Sequence, residues 1–152
     1  MALKIALINP KMEGPYPPLG LGYISSYLRK YGAYSYDLKI IDGNTCRDIR
    51  GAIEAFSPDI AGFTGHSPQI LEAVRRSREI REWRPDIFQM IGGVHASADP
   101  DGTLKRGAFD LAVVGEGEST FLEAVDTFAS GEKDALRHLN GTAHLEGDMF
   151  VM

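Results

Sequence analysis

Five apolar, strand-length runs alternate along this chain with five segments of helical periodicity, and the joints between them are short. Such alternation calls for a parallel sheet, because parallel neighbours need a long crossover and a helix is the usual one. The strand runs are 3–8, 36–42, 59–64, 87–92 and 110–114. The run Ile87-Phe88-Gln89-Met90-Ile91 is apolar on both faces, as a strand covered on both sides must be. The helical segments are 19–31, 47–56, 67–83, 99–106 and one from Glu118 to Gly131. In the first, Leu21, Ile24, Leu28 and Tyr31 recur at helical spacing, and Gly32 ends it. Ser67 is expected as the N-cap of the third, with Pro68 at its first helical position. The segment 99–106 predicts only a weak, short helix. Between the first strand and first helix, 11–18 holds three prolines and a glycine and predicts a stiff, irregular loop.

Right-handed crossovers leave few windings for such a chain. The expected fold is α/β, a doubly wound five-stranded parallel sheet of flavodoxin-like order 2-1-3-4-5. The texture changes after Asp134. Leu139-Asn140-Gly141, His144-Leu145 and Met149-Phe150-Val151, around the turn Glu146-Gly147-Asp148, read as a short C-terminal hairpin. His138 and His144 fall in this tail and are expected at the surface. The division expected is a domain over 1–134 and a hairpin or linker over 135–152, the whole being a piece of a longer protein.

With 152 residues, 43% hydrophobic and 24% charged, the chain has the size and composition of one globular domain. Its net charge is −5, and the arginines at 75, 76, 78 and 81 alternate with glutamates as a solvated helix face does, so nucleic acid is not an expected partner. No apolar stretch is long enough to cross a membrane as a helix. The start shows no signal-peptide layout, and a cytoplasmic location is expected. The single cysteine, Cys46, excludes an internal disulfide and a thiolate cluster.

In a doubly wound sheet, ligands bind outside the carboxyl ends of the strands. Those ends carry Asn9-Pro10, Thr64-Gly65-His66, Gly92-Gly93-Val94-His95 and Gly115-Glu116-Gly117. The unusual residues therefore share one rim. Two adjacent glycines leave main chain bare, either for close approach of a bulky ligand or for a tight strand-to-helix turn.

Several chemistries fail on the residues. There is no G-x-x-x-x-G-K-[ST] phosphate loop. Gly20-Leu21-Gly22 lacks the third glycine of a dinucleotide fingerprint and lies too far past the first strand. Glu116 and Glu118 would repel a pyrophosphate. A phosphoryl-accepting receiver needs aspartates where this chain has Asn9 and Thr64. His66 and His95 share the rim but lack a third partner for a metal, so no metal ligands are assigned. No G-x-S-x-G elbow supports hydrolysis, and no catalytic residue is assigned.

The ordered set Asn9-Pro10, Pro17-Pro18-Leu19-Gly20-Leu21-Gly22-Tyr23-Ile24, Asp42, Pro58 to Thr64, Gly92-Gly93-Val94-His95-Ala96-Ser97 and Val114 to Phe121 resembles the amino-terminal cobalamin-binding domain of cobalamin-dependent radical SAM enzymes. That family includes magnesium-protoporphyrin ester cyclases, which act in tetrapyrrole biosynthesis, and methyltransferases. The likeness spans nearly the whole chain, and the tail resembles the link into the radical SAM barrel.

The resemblance implies cobalamin, with its cobalt, as the cofactor here. It implies SAM (S-adenosyl-L-methionine) and an iron–sulfur cluster in a radical SAM domain of the same polypeptide. In the wider fold an Asp-x-His-x-x-Gly loop supplies a histidine to cobalt. Here the loop reads Asn9-Pro10-Lys11-Met12-Glu13-Gly14, which implies base-off binding without it and leaves the lower axial position open. The Ser-x-Leu slot falls on Thr64-Gly65-His66. The implied contacts are Asn9, Pro18, Leu19, Gly20, Thr64, Gly65, His66, Ser67, Gly92, Gly93, Val94, His95, Gly115, Glu116 and Gly117. Leu19 and Tyr23 would cover the macrocycle, and a direct cobalt contact from His66 is a second reading. Gly93→Val is expected to abolish retention of cobalamin with little loss of fold stability. The alternatives are a flavodoxin-like flavin-binding module and a docking module that binds nothing.

Overall fold

The computed structural model describes residues 2–14 and 17–152. Met1 lies outside it, as do Pro15 and Tyr16 of the expected stiff loop. The chain runs β1 (Leu3–Asn9), α1 (Leu19–Tyr31), β2 (Tyr36–Asp42), α2 (Ile49–Phe56), β3 (Ile60–Thr64), α3 (Ile70–Trp83), β4 (Phe88–Gly92), α4 (Val94–Ala98), α5 (Pro100–Arg106), β5 (Leu111–Val113), α6 (Gly117–Ser130), β6 (Thr142–Glu146) and β7 (Met149–Val151). Short 3₁₀ turns precede α3 (Ser67–Gln69) and β6 (Lys133–His138).

The sheet order is β2-β1-β3-β4-β5-β6-β7, with the first five strands parallel and the last two pairings antiparallel. The five-stranded parallel core is the one expected, and the tail hairpin continues the sheet from β5. Its β6 is no loose appendage, because Ala143 is fully buried opposite Ala112.

Side chains alternate across each strand and so divide the core in two. Ile5 and Leu7 join Leu21 and Leu28 of α1 and Phe121, Ala124 and Val125 of α6. Ala6 and Ile8 face the other way, onto Ile49 and Ile53 of α2 and Ile70, Ala73 and Ile80 of α3.

Local chemistry sets the helix ends. Helix α2 begins at Ile49 rather than Arg47, because the Asp48 carboxylate accepts the Gly51 N–H at 2.9 Å and fixes the first turn there. Asp99 does the same for α5 through Gly102 N–H at 3.0 Å. Helix α4, five residues long, has no periodicity to announce it, and the sequence missed it. Gly131 closes α6 in the left-handed conformation, φ 84°. Gly32 closes α1 through its N–H to the Leu28 carbonyl at 2.9 Å, but in extended conformation.

Two local expectations are corrected. The chain enters α3 through the 3₁₀ turn, with His66 rather than Ser67 at the cap position. The Ser67 hydroxyl turns instead to His95 Nδ1 at 3.1 Å. His144 is not a surface residue: it is 4% exposed, because β6 packs beside β5, and its Nε2 lies 3.3 Å from Glu146 Oε1. No helix among the described residues is long and apolar enough to cross a membrane.

Candidate functional site

The parallel register makes a gap at the carboxyl end of the sheet. Leu7, Gly62 and Met90 stand side by side on β1, β3 and β4. Gly62 contributes no side chain, and the Phe121 ring of α6 leans into the space. A Cβ at Gly62 would stand 3.1 Å from that ring and 3.2 Å from Leu7 Cδ2. Two residues nearer the rim, Thr64 stands opposite Gly92, and Val113 flanks Gly92, 3.7 Å from where its Cβ would be. This level is bare on one strand and short on the next.

The result is a cavity of about 160 Å³ on the α1/α6 face, opening at the rim. Leu7, Met90, Val113 and Phe121 give it an apolar floor, and Leu21 and Ile24 of α1 wall it. Gly20, Gly115, Gly117 and Glu118 edge it, with Thr64, Gly92 and Gly93 inside. The Thr64 hydroxyl has no hydrogen-bond partner among the described residues. A pocket with apolar walls, exposed main chain and one free hydroxyl suits a flat heteroaromatic group carrying a polar substituent.

Six of the rim residues expected from the sequence thus meet in one cavity: Gly20, Thr64, Gly92, Gly93, Gly115 and Gly117. Others stand around it at the rim. Leu19, directly after Pro18, is 65% exposed at the start of α1, and Val94 is 63% exposed at the start of α4. Tyr23, one turn after Leu19, is 67% exposed. Glu116 and His66 are exposed. Gly65 is buried, and its carbonyl accepts the His95 N–H at 3.2 Å. His95 is half-buried, with Nδ1 on Ser67 and an Nε2 that is buried without a partner. Among the described residues no three His, Cys, Asp or Glu side chains gather as a metal site.

Asn9 stands apart from the cavity. Its Nδ2 donates to Asp42 Oδ1 at 3.0 Å, and its Oδ1 accepts from Gln69 Nε2 at 2.9 Å. It is 5% exposed and ties strand ends together.

Gly93 also differs from expectation. Its φ is 100°, and a Cβ there would lie 3.0 Å from the Gly65 carbonyl oxygen and 3.1 Å from Gly65 N and Thr64 Oγ1. Main chain packs on main chain at that point, so Gly93→Val strains the fold itself. A marked loss of stability is therefore expected of that variant, in place of little loss. The turn after β5 is likewise held by the chain: Gly115, φ 89°, donates its N–H to Ser97 Oγ at 2.9 Å.

The floor residues Leu7, Met90, Val113 and Phe121 were absent from the expected site. Gly62, a glycine inside a strand, was the one signal that pointed to them.

A doubly wound sheet with a lined cavity at its carboxyl edge defines a small-molecule-binding α/β domain. The chain belongs to the B12 binding domain family, whose profile matches residues 5–125. It is 32% identical over 157 residues to an uncharacterized methyltransferase of Pyrococcus horikoshii, covering 95% of this chain and 33% of that protein. It is 33% identical over 159 residues to the anaerobic magnesium-protoporphyrin IX monomethyl ester cyclase of Rubrivivax gelatinosus, covering 96% of this chain and 28% of that protein. In fold it is similar to the radical S-adenosylmethionine methyltransferase TsrM of Kitasatospora setae, solved with cobalamin and a 4Fe-4S cluster bound. There the TM-score is 0.83 at 20% identity, over 99% of this chain and 30% of that one. The chain thus spans about a third of the length of these relatives.

Proposed function

We propose that this chain is the cobalamin-holding part of a radical SAM enzyme, and that the cavity between α1, α6 and the strand ends takes the nucleotide arm of the corrinoid. The observation that carries this reading is the cavity itself, bare of side chains at Gly92, apolar at its floor and furnished with the unpaired Thr64 hydroxyl. An aromatic base is stabilised by the contacts of Phe121, Met90 and Val113, and Thr64 donates to a nitrogen or phosphate oxygen of the arm.

With the base drawn into the protein, the cofactor is held base-off. Leu19, Tyr23 and Val94 are large apolar side chains left in solvent at the rim. They cover the macrocycle and shield it from water. Bound there, the corrinoid would supply a cobalt centre able to carry a methyl group, and the protein positions it.

Residues 1–134 hold the cofactor and 135–152 lead toward a radical SAM domain of the same polypeptide, where SAM and the iron–sulfur cluster belong. The relatives' greater length supports a further domain in the same polypeptide. The lone cysteine and the absence of a membrane-length helix among the described residues support a cytoplasmic setting.

The test is retention of hydroxocobalamin by the chain after excess is removed, compared with Gly117→Leu. Gly117 opens α6 at the cavity edge, and a Cβ there meets only Val113 Cγ1 at 3.7 Å. Leucine fits the helix and fills the mouth. Corrinoid bands in the parent and none in the variant are expected. Equal retention by both places the arm elsewhere. A flavin spectrum in the purified parent replaces this reading with a flavin-binding one.

A further inference from the structure

The carboxyl edge carries a second concavity, on the opposite face of the sheet. It encloses about 1230 Å³ between the loops after β1 and β2 and the first turns of α2 and α3. Four cationic side chains line it: Lys11, Arg47, Arg75 and Arg76. Two are already neutralised. Arg75 pairs with Glu72 and Glu79, both at 2.7 Å, and Arg76 pairs with the same glutamates at 3.0 and 3.3 Å. Lys11 and Arg47 have no carboxylate within ion-pairing distance among the described residues. The one other acid in the lining is Glu13, which is exposed.

Asn44 ties the two loops of the groove together. Its Oδ1 accepts the Met12 N–H at 2.9 Å, while its Nδ2 is buried with no acceptor among the described residues. Two cations left without a carboxylate partner, in a chain of net charge −5, suit an acceptor-rich ligand.

We propose that this groove binds a small molecule through a phosphate or carboxylate gripped by Lys11 and Arg47. A lining drawn from two loops and two helices around a concave space suits a small molecule better than an acidic protein segment. The groove opens on the other face of the sheet from the arm cavity. It shares the loop after β1, however, where Lys11 holds the place of the histidine in the Asp-x-His-x-x-Gly pattern, so loading with the corrinoid is the test that separates the two. In an enzyme that acts beside this rim, the groove would anchor the anionic end of a substrate.

Inorganic pyrophosphate and citrate serve as probes, each titrated into the chain at physiological salt and followed by NMR amide shifts. Saturable shifts with at least one probe, confined to 11–13 and 43–47, are expected. Lys11→Ala/Arg47→Gln weakens that binding at least about tenfold, the loss expected for removing charge-assisted hydrogen bonds. Lys105→Ala/Arg106→Gln, which removes two exposed cations from α5, leaves it unchanged. Binding persists after loading with hydroxocobalamin. Shifts that never saturate, or that fall equally in the control, overturn the proposal. Loss of binding on loading also overturns it, because the phosphate recognised is then the corrinoid's own.

Discussion

Gln69 donates its Nε2 to Asn9 Oδ1 at 2.9 Å, joining two residues 60 positions apart. The same Nε2 donates to the Pro10 carbonyl at 2.8 Å, and Gln69 Oε1 accepts the His66 N–H at 3.0 Å. Asn9 passes the connection to Asp42, whose Oδ1 also accepts the Asn44 N–H at 3.1 Å. A buried polar chain therefore fixes the ends of β1, β2 and β3 relative to one another. These ends carry the loops of both concavities, so the network holds the rim in one shape.

Replacing Gln69 by leucine tests that network. Gln69 is 1% exposed, so leucine fits by size but leaves Asn9 Oδ1, the Pro10 carbonyl and the His66 N–H without their partner. Unsatisfied buried groups cost about 1–3 kcal/mol apiece when water cannot reach them. Gln69→Leu is expected to lower stability by about 2–4 kcal/mol in urea unfolding, with an unchanged denaturant slope. A loss under about 0.5 kcal/mol would mean that water replaces the amide.

Two glycines should respond in opposite directions to alanine. Gly22 lies within α1, and a Cβ there meets nothing within 4 Å. Gly22→Ala is expected to raise stability by about 0.5–1 kcal/mol through helix propensity. Gly93 holds φ 100° with Gly65 main chain 3.0 Å from its Cβ position. Gly93→Ala is expected to lower stability by about 1–3 kcal/mol. Thermal melts of the two variants decide the matter, and shifts of the same sign contradict the assignment.

Tyr36 gives stability a dependence on high pH. Partial burial, followed by its hydrogen bond to the Asp126 carboxylate and that group's charge, pushes its hydroxyl well above the ordinary tyrosine range. The folded state thus favours the protonated form. Its contribution is complete below the unfolded tyrosine value near pH 10 and fades as pH rises beyond it. Tyr36→Phe is expected to unfold at lower urea than the parent at pH 8, and the gap is expected to narrow as pH rises past 10, where the unfolded tyrosine ionises and the folded one does not. A constant gap would mean that the hydroxyl acts only by packing.

The sheet was legible because its strands write apolar runs and its helices write a 3.6-residue period, and both signals are local. The rim glycines were legible because glycine stands out wherever a strand ends. The floor of the cavity was not, since Leu7, Met90 and Phe121 look like any core residue until the register sets them around Gly62. Asn9 could be placed at the rim by its position at a strand end, but the turn of its amide toward Asp42 and Gln69 could not be read there. His144 misled because a short tail gives no sign that it will extend a sheet and be covered.

The proposed base-off binding makes the last prediction. If the base occupies the cavity over Phe121 and Met90, no nitrogen of the nucleotide reaches cobalt from below. His66 is the exposed imidazole at that rim, and no aspartate two residues before it orients the ring as in the Asp-x-His pattern, because that position is Thr64. The chain loaded with cobalamin and reduced to the cobalt(II) state is expected to give an electron paramagnetic resonance spectrum without the nitrogen triplet that a lower imidazole or benzimidazole imposes. His66→Ala is expected to leave the spectrum unchanged. A triplet that vanishes in His66→Ala would make His66 the cobalt ligand. A triplet that survives in the variant would keep the base on cobalt and leave the cavity to another occupant.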